Sequence, residues 1–385
     1  MKRSPVCGLG LLLALMAVLL AATSASAATW HRLSPSGQSN TSQVSLLRNA
    51  NGSLTAVGLF KGAAPGGDDI VKVPISAMGG VRAAAVLASG ASYGILENPA
   101  AILQGGVPTA VFGAMSTTGQ DGLWTMNIDT GAPVFYAASG GGPTTAASGT
   151  SAAATAAGGM AAWSGTYGLG TLPLASAAAT PQSLPLTGCC AYNQSFATLA
   201  NGNVYVVYDS NEDAASGRWF QQVDPTTGAA VGTRVRVPKS NVGSDYDFPV
   251  ESRASVAVVG NAAYTAWAQG YPSKTRIALW RRGSSTSKRW SPGYAVGVAG
   301  VAATRSGALW VYWTQASTGA VYAMRSNNAR TAWSAPNAVG RANHTIETTY
   351  KLVGNADRVD GKLDIAAAMA TFAGSPSWYH ALVAP

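Results

Sequence analysis

Short apolar runs alternate along the chain with polar clusters rich in Ser, Thr, Asn and Gly. This pattern is typical of an all-β protein, because strands are short and tight turns favour these small residues. The clearest predicted strands cover residues 204–208 and 309–313, where apolar or aromatic side chains occupy both faces. Such strands are expected to be buried between packed sheets.

Seven turns containing Gly each precede one of these apolar strands, at intervals of 43 to 59 residues. The turns are marked by Gly52, Gly106, Gly159, Gly202, Asn261 (which follows Gly260), Gly307 and Gly361. A repeat of roughly 40 to 55 residues in an all-β chain indicates a β-propeller. We therefore predict a seven-bladed β-propeller, with a ligand site at the mouth of its axis. A six-bladed, sialidase-like propeller is the alternative.

Residues 1–27 have the form of a secretory signal peptide. Lys2 and Arg3 precede an apolar run over residues 9–22, and Ala25-Ser26-Ala27 fits a cleavage site. The run is short for a membrane span, although an uncleaved anchor is the alternative. We expect a secreted protein in which residues 28–385 form a single propeller domain, with about 51 residues per blade.

The charge pattern limits the partners. The net charge of +9 falls to +7 without Lys2 and Arg3, and charged residues make up only 11% of the chain. This mild basicity favours an acidic polymer only weakly. There is no nucleic-acid-binding motif. We expect an extracellular glycan or cell-envelope polymer as partner, no nucleic acid, no membrane insertion after signal cleavage, and a monomer.

Residues 137–159 form a low-complexity stretch of Gly, Ala, Ser and Thr. The stretch is either a flexible linker or a small-residue blade strand with a loose loop. The spacing of the turns continues through it, which favours the second interpretation.

Two segments near the C-terminus align with each other at an offset of 43 residues, and each has Trp eight residues after Arg. The second runs from Arg325 to Trp333 and resembles the Asp-box of sialidase-like propellers, Ser-x-Asp-x-Gly-x-Thr-Trp. Ser326 and Trp333 match this motif. At the other three positions Asn328 replaces Asp, Arg330 replaces Gly and Ala332 replaces Thr.

The resemblance implies a role in folding for this segment. In that family a polar side chain of the box ties the hairpin between the third and fourth strands, and the Trp packs beneath it. The family's catalytic set is an arginine triad, a Tyr–Glu pair and an Asp acid. Arg32 lies in a segment faintly similar to the early arginine element, and Glu347 with Tyr350 is a conceivable pair without a supporting motif.

Cys189 and Cys190 are adjacent and are the only cysteines after residue 27. An oxidised pair is expected outside the cell. Adjacent Cα atoms lie about 3.8 Å apart, below the usual disulfide range of about 4.4–6.8 Å, so the bond would close a strained ring. Two free thiols are the alternative. The alignment of the blades places Cys189, Cys190 and the nearby Tyr192 at the entrance of an innermost strand, where they are candidate ligand-binding residues.

Asp245-Tyr246-Asp247, followed by Glu251 and Arg253, occupies the matching entrance of the fifth blade. Carboxylates beside an aromatic ring suit sugar hydroxyls or a cation, and glycosidases use two carboxylates. Asp245, Asp247 and Glu251 are therefore candidate catalytic residues, and Tyr246 and Arg253 are candidate ligand contacts. A solvated loop in which Asp caps a turn is the alternative.

Asp209, Asn211 and Asp213 have a spacing that could converge oxygens on calcium, but the EF-hand pattern fails at Ala214 and Phe220. A plain acidic loop is the alternative. His344, near the start of the seventh blade beside Glu347, is a candidate ligand-binding residue, and an ordinary loop histidine is the alternative. No other cofactor motif is present.

Two main functions remain open. One is a binding or scaffold propeller for an extracellular or cell-wall glycan. The other is a sialidase-like hydrolase or lyase that uses carboxylates at the mouth. A redox role for a ring formed by the two cysteines is a third possibility, without a supporting motif.

Overall fold

The computed structural model describes residues 28–39, 42–61, 67–137, 149–165, 168–186, 191–210, 216–240, 253–270, 273–371 and 374–385. These ranges contain 29 β-strands and no α-helix. No segment among them forms a helix of the length and apolar character needed to cross a membrane. The strands form seven antiparallel sheets.

The first strand, β1, covers Trp30–Arg32 and belongs to the last blade. Blade 1 contains β2 Ser45–Arg48, β3 Leu54–Lys61, β4 Asp68–Ile75 and β5 Ala85–Ser89. Blade 2 contains β6 Tyr93–Leu96, β7 Ala100–Gln104, β8 Val107–Ser116, β9 Asp121–Asn127 and β10 Pro133–Ala137. Blade 3 contains β11 Thr150–Ala153, β12 Met160–Gly165, β13 Gly168–Pro173 and β14 Gln182–Leu184.

Blade 4 contains β15 Tyr192–Thr198, β16 Val204–Ser210, β17 Gly217–Val223 and β18 Ala230–Arg236. Blade 5 contains β19 Ser255–Val259, β20 Ala262–Gln269, β21 Arg276–Arg281 and β22 Lys288–Trp290. Blade 6 contains β23 Val296–Ala303, β24 Leu309–Gln315, β25 Val321–Arg325 and β26 Asn337–Gly340. Blade 7 contains β27 Thr348–Asn355, β28 Leu363–Ala370, β29 Ser377–Val383 and the N-terminal β1.

The innermost strands of the blades form a closed ring. Each contacts the innermost strand of the next blade, and β27 of blade 7 contacts β2 of blade 1. The seven-bladed β-propeller is therefore confirmed, and the six-bladed alternative is wrong. All seven predicted glycine turns join an innermost strand to the second strand of its blade. Gly202 and Gly307, at φ +86° and +88°, adopt the left-handed conformation that favours glycine.

The N-terminal strand completes the last blade, which the sequence pattern did not predict. β1 pairs with β29 so that Trp30 lies opposite Ala381 and His31 opposite His380. The Nε1 of Trp30 also donates a hydrogen bond to the carbonyl oxygen of Val339 in blade 6, at 3.1 Å. The first and last strands of the described chain therefore close the ring within one sheet.

The core lies between neighbouring blades. The predicted strand over residues 204–208 lies in β16, every residue of which is buried, and residues 309–313 are all buried in β24. The largest fully buried side chains include Trp280, Trp310, Trp313 and Trp378. Within the low-complexity stretch, β11 belongs to blade 3, which confirms the blade interpretation for those residues. Residues 138–148 lie outside the described ranges.

Buried charges join blade 7 to blade 1. Asp364 is fully buried and accepts hydrogen bonds from Arg48 of blade 1, from Arg358 at 3.4 Å and from His380 at 2.8 Å. Arg358 also donates to the carbonyl oxygen of Ala77 in blade 1, at 2.8 Å. Because three donors share one carboxylate, its charge is compensated within the seam.

Candidate functional site at the propeller axis

A cavity of about 170 Å³ lies on the axis and is lined by residues from all seven blades. Four serines line it, Ser45, Ser151, Ser195 and Ser255, one each from blades 1, 3, 4 and 5. The innermost strands place small side chains here because seven strands converge on a narrow axis. Most of the other lining residues are Ala, Val, Leu or Gly.

The serine hydroxyls serve two purposes. Ser45 Oγ accepts a hydrogen bond from the backbone nitrogen of Ala101 in blade 2, and Ser255 Oγ accepts one from Val301 in blade 6. These two serines therefore join neighbouring blades. The hydroxyls of Ser151 and Ser195 make no hydrogen bond to any other described residue. Since a hydroxyl offers one donor and two acceptor positions, these groups have hydrogen-bonding capacity left for a ligand.

Tyr312 reaches the cavity from the second strand of blade 6. Its ring lies between Gly300 and Gly354, on the innermost strands of blades 6 and 7. A Cβ on Gly354 would lie 2.5 Å from the ring. The Tyr312 hydroxyl lies 3.4 Å from Ser255 Oγ. Burial raises the pKa of Tyr312 to about 12, so the phenol is neutral at physiological pH.

Arg253 is the only charged side chain among the described residues that line the cavity. It lies two residues before β19, yet its Nη2 donates to the carbonyl oxygens of Pro99 at 2.5 Å and Thr150 at 2.7 Å, in blades 2 and 3. Its backbone nitrogen donates to the side-chain oxygen of Gln43, which precedes β2. The side chain of Arg253 thus crosses the axis from blade 5.

The structure brings one of the predicted ligand residues, Arg253, to the cavity. Tyr192 begins β15, is half-buried and pairs with Asp209, and it does not line the cavity. His344 is exposed in the loop between β26 and β27, away from the lining residues. The remaining candidates lie outside the described residues, namely Cys189, Cys190, Asp245, Tyr246, Asp247 and Glu251.

The predicted calcium ligand Asp209 is fully buried and paired with a cation. Arg218 donates to both of its carboxylate oxygens, at 2.7 and 2.9 Å, and also to Thr265 and Ala266 of blade 5. Asn211 and Asp213 lie outside the described residues. Within the described ranges no three His, Cys, Asp or Glu side chains cluster as metal ligands would.

The segment resembling an Asp-box forms the hairpin between β25 and β26, as the resemblance implies. Ser326 Oγ accepts a hydrogen bond from the backbone nitrogen of Leu309, at 2.8 Å. Asn327 Oδ1 accepts from the backbone nitrogens of Thr331 and Ala332, at 2.9 and 3.3 Å. Arg330 replaces the glycine of the motif and has φ +62°, the conformation that glycine would adopt easily.

Residues suggested by the catalytic set of sialidases are not gathered at the axis. Arg32 lies on β1, the outermost strand of blade 7, and its guanidinium reaches Ser377 at 3.4 Å. Glu347 and Tyr350 are exposed at the start of β27 and do not line the cavity.

A positional signal could have identified the axial residues. Counting back seven residues from a glycine of each turn reaches a residue in, or up to two residues before, each innermost strand. The seven residues are Ser45, Pro99, Ser151, Ser195, Arg253, Gly300 and Gly354. Five of them line the cavity, the carbonyl of Pro99 binds Arg253, and Gly300 packs against the ring of Tyr312. The turns therefore carry a second signal besides the number of blades.

No protein-family model matches the chain, and no curated protein matches it. Solved structures with a similar fold include a protein of unknown function from Dyadobacter fermentans, with 12% identity and a TM-score of 0.52, over 92% of this chain and 99% of that one. An α-L-arabinofuranosidase from Fusarium graminearum in complex with an iminosugar inhibitor has 12% identity and a TM-score of 0.49, over 93% and 97% of the two chains.

The Aleuria aurantia lectin in complex with α-methyl-L-fucoside has 11% identity and a TM-score of 0.42, over 91% of this chain and 97% of the lectin. At such low identity a similarity shows the fold alone. The chain is a seven-bladed β-propeller, and its resemblance to the sialidase-like type stays a prediction.

Proposed function

We propose that this protein is a secreted binding propeller that holds an extracellular or cell-wall glycan at its axial mouth. The observation that carries the proposal is the axial cavity, in which hydroxyls from four blades surround a space of about 170 Å³. Sugars present many hydroxyls, and the hydroxyls of Ser151 and Ser195, which make no hydrogen bond to another described residue, can each donate one hydrogen bond and accept others. A concave site with a few convergent polar groups is also the usual form of a small-ligand site.

Binding is favoured over hydrolysis by the charge of the described lining. Glycoside hydrolases typically place two carboxylates beside the scissile bond. The described residues that line the cavity include one cation, Arg253, and no carboxylate. The described lining can therefore bind a sugar through hydrogen bonds, but it contains no carboxyl group that could act as the general acid or base of hydrolysis.

The test is a glycan array with the purified chain from residue 28, paired with an assay for released reducing sugar. We expect binding of a defined class of glycans without release. Ser195→Leu fills the cavity from the half-exposed wall of blade 4 and is expected to reduce binding at least tenfold. Ser334→Ala, on the exposed hairpin after β25, is the matched control and should bind as the wild type does.

Two results would overturn the proposal. One is the absence of any glycan binding by a folded protein. The other is release of reducing sugar that disappears in Asp247→Asn, which would identify an enzyme. Export is tested separately, since mass spectrometry of protein from the culture medium should give a chain that begins at Ala28.

A further inference from the structure

Arg253 is the one long cationic side chain at the axial cavity among the described residues. Ser45, Ser195 and Gly300 each lie three residues before the last paired residue of an innermost strand, where small residues suffice to line the ring. Arg253 lies outside this series, two residues before β19 begins at Ser255, so the strand pairing of the ring does not require a long cation here. Its presence at the cavity therefore calls for a chemical explanation.

The charge of Arg253 is uncompensated within the described chain. The arginines that are buried at blade contacts, Arg48, Arg218 and Arg358, each form an ion pair with an aspartate. Arg253 has no carboxylate of the described chain within ion-pair distance. Burial lowers the pKa of Arg253 to about 10, which still leaves the side chain charged at neutral pH. Arg253 is half-buried, and a partly desolvated cation without a counter-ion costs free energy, so such groups are candidates for functional sites.

The guanidinium also retains donors. It has five N–H groups, and Nη2 is the only nitrogen of the side chain that donates to described residues, through Pro99 and Thr150. Those two carbonyls fix the group from blades 2 and 3, opposite its origin in blade 5. The guanidinium is thus positioned before any ligand arrives, which lowers the entropy cost of binding.

We propose that the axial cavity binds a carboxylate group, with Arg253 as its counter-ion and the axial serines as further hydrogen-bond donors. Arginine and carboxylate groups form strong, often bidentate hydrogen bonds. The hydroxyls of Ser151 and Ser195 line the same cavity. One arginine performs this role, since no second arginine of the described chain lines the cavity. The carboxylate belongs either to an acidic sugar of a glycan or to a small free acid. The first case rests on the proposed function, and the second does not.

Thermal unfolding and calorimetry with three probes at constant ionic strength separate these sources. The probes are glucuronate, acetate and the neutral sugar glucose. We expect glucuronate to raise the melting temperature of the wild type in a saturable way and glucose to have no such effect at the same concentration. Acetate with equal or higher affinity identifies a free acid as the ligand, whereas at least tenfold tighter binding of glucuronate identifies an acidic sugar.

Variants locate the binding at Arg253. Arg253→Gln retains a donor for the two carbonyls but removes the charge, and we expect at least a hundredfold loss of glucuronate affinity. Arg253→Lys keeps the charge without the planar fork and should lose roughly tenfold. Arg276→Gln changes the net charge equally at an exposed site on the same blade and should leave the affinity unchanged.

Should Arg253→Gln not fold, Ser195→Leu provides the second test, because it narrows the cavity and leaves the charge in place. We expect it also to lose carboxylate binding. The inference is overturned when neither glucuronate nor acetate binds to the folded wild type, or when Arg276→Gln loses as much affinity as Arg253→Gln. Glycan binding that is equally strong in the wild type and in Arg253→Gln would overturn this inference but not the proposed function. Binding of acetate without binding of any glycan would overturn the proposed function but not this inference.

Discussion

The Nε2 of His380 lies 2.8 Å from Oδ1 of Asp364, and both side chains are completely buried where the last blade meets the first. The same carboxylate accepts hydrogen bonds from Arg48 and Arg358. Burial raises the pKa of Asp364, but the hydrogen bond from His380 and the charge of Arg48 outweigh it and hold the pKa below its ordinary value. The seam of the ring is therefore held by an ionised, fully surrounded aspartate.

This relationship predicts a loss of stability in acid. A carboxyl whose pKa is depressed on folding stabilises the protein above its unfolded pKa, about 3.9, and this contribution disappears as pH falls through the lower folded pKa. Asp364→Asn should cost about 3–5 kcal/mol at pH 7, because it leaves buried arginine charge uncompensated. Below pH 4 the difference between variant and wild type should shrink. Denaturant unfolding from pH 7 to pH 2 measures both effects.

Asp357→Asn is the control for this experiment. Asp357 pairs with Arg305 at 2.7 Å, but the two side chains are 55% and 49% exposed, so the pair contributes at most about 1 kcal/mol. An Asp364→Asn variant as stable as Asp357→Asn at pH 7 would refute the role of the seam.

The close fit of Tyr312 between two glycines predicts a severe effect of one methyl group. Gly354→Ala would place its Cβ 2.5 Å from the Tyr312 ring, so the ring must shift, at a cost of about 1–3 kcal/mol. Gly94→Ala is the matched control, because its nearest neighbour would be the carbonyl oxygen of Met115 at 4.0 Å. Thermal unfolding of the two variants should separate them clearly, and equal melting temperatures would contradict the fit.

We expect the hairpin that resembles an Asp-box to contribute to the stability of the fold. Ser326→Ala leaves the buried backbone nitrogen of Leu309 without its acceptor, which should cost about 1–3 kcal/mol. Ser334→Ala in the same hairpin removes an acceptor for Arg325 at an exposed position and should cost much less. Glycan binding should be unchanged in both variants. Loss of binding in Ser326→Ala with retained stability would assign the hairpin to the ligand site instead.

The buried pair of Asp209 and Arg218 predicts insensitivity to calcium. Both carboxylate oxygens accept hydrogen bonds from Arg218, so adding calcium or a chelator should not change the melting temperature. Arg218→Met should cost about 3–5 kcal/mol, because Asp209 would stay buried without a cation. Arg305→Met, which breaks an exposed pair, is the control. A calcium-dependent rise in melting temperature would restore the metal interpretation.

The architecture was predictable because the turn after each innermost strand needs a conformation that glycine adopts readily. Gly202 and Gly307 are two of the glycines that recur at this turn. The apolar run after each such glycine marks the buried second strand of its blade. The closure by β1 was not predictable from periodicity, since Trp30–Arg32 is a single short strand without its own turn.

The site was only partly predictable. Arg253 was identified through its neighbours in sequence, whereas its contacts with Pro99 and Thr150 depend on how three distant blades meet at the axis. Ser151 and Ser195 carry no motif of their own, since a serine in a strand is common. Both lie seven residues before a turn glycine, and this spacing becomes informative once the ring is known.

The pairing of β1 with β29 links the order of synthesis to completion of the fold. Trp30 emerges first and has no strand partner until Ala381 is available, more than three hundred residues later. A chain cut short before β29 would leave β1 and the outer edge of β28 without their strand partner, and exposed sheet edges of this kind are prone to pair with other chains.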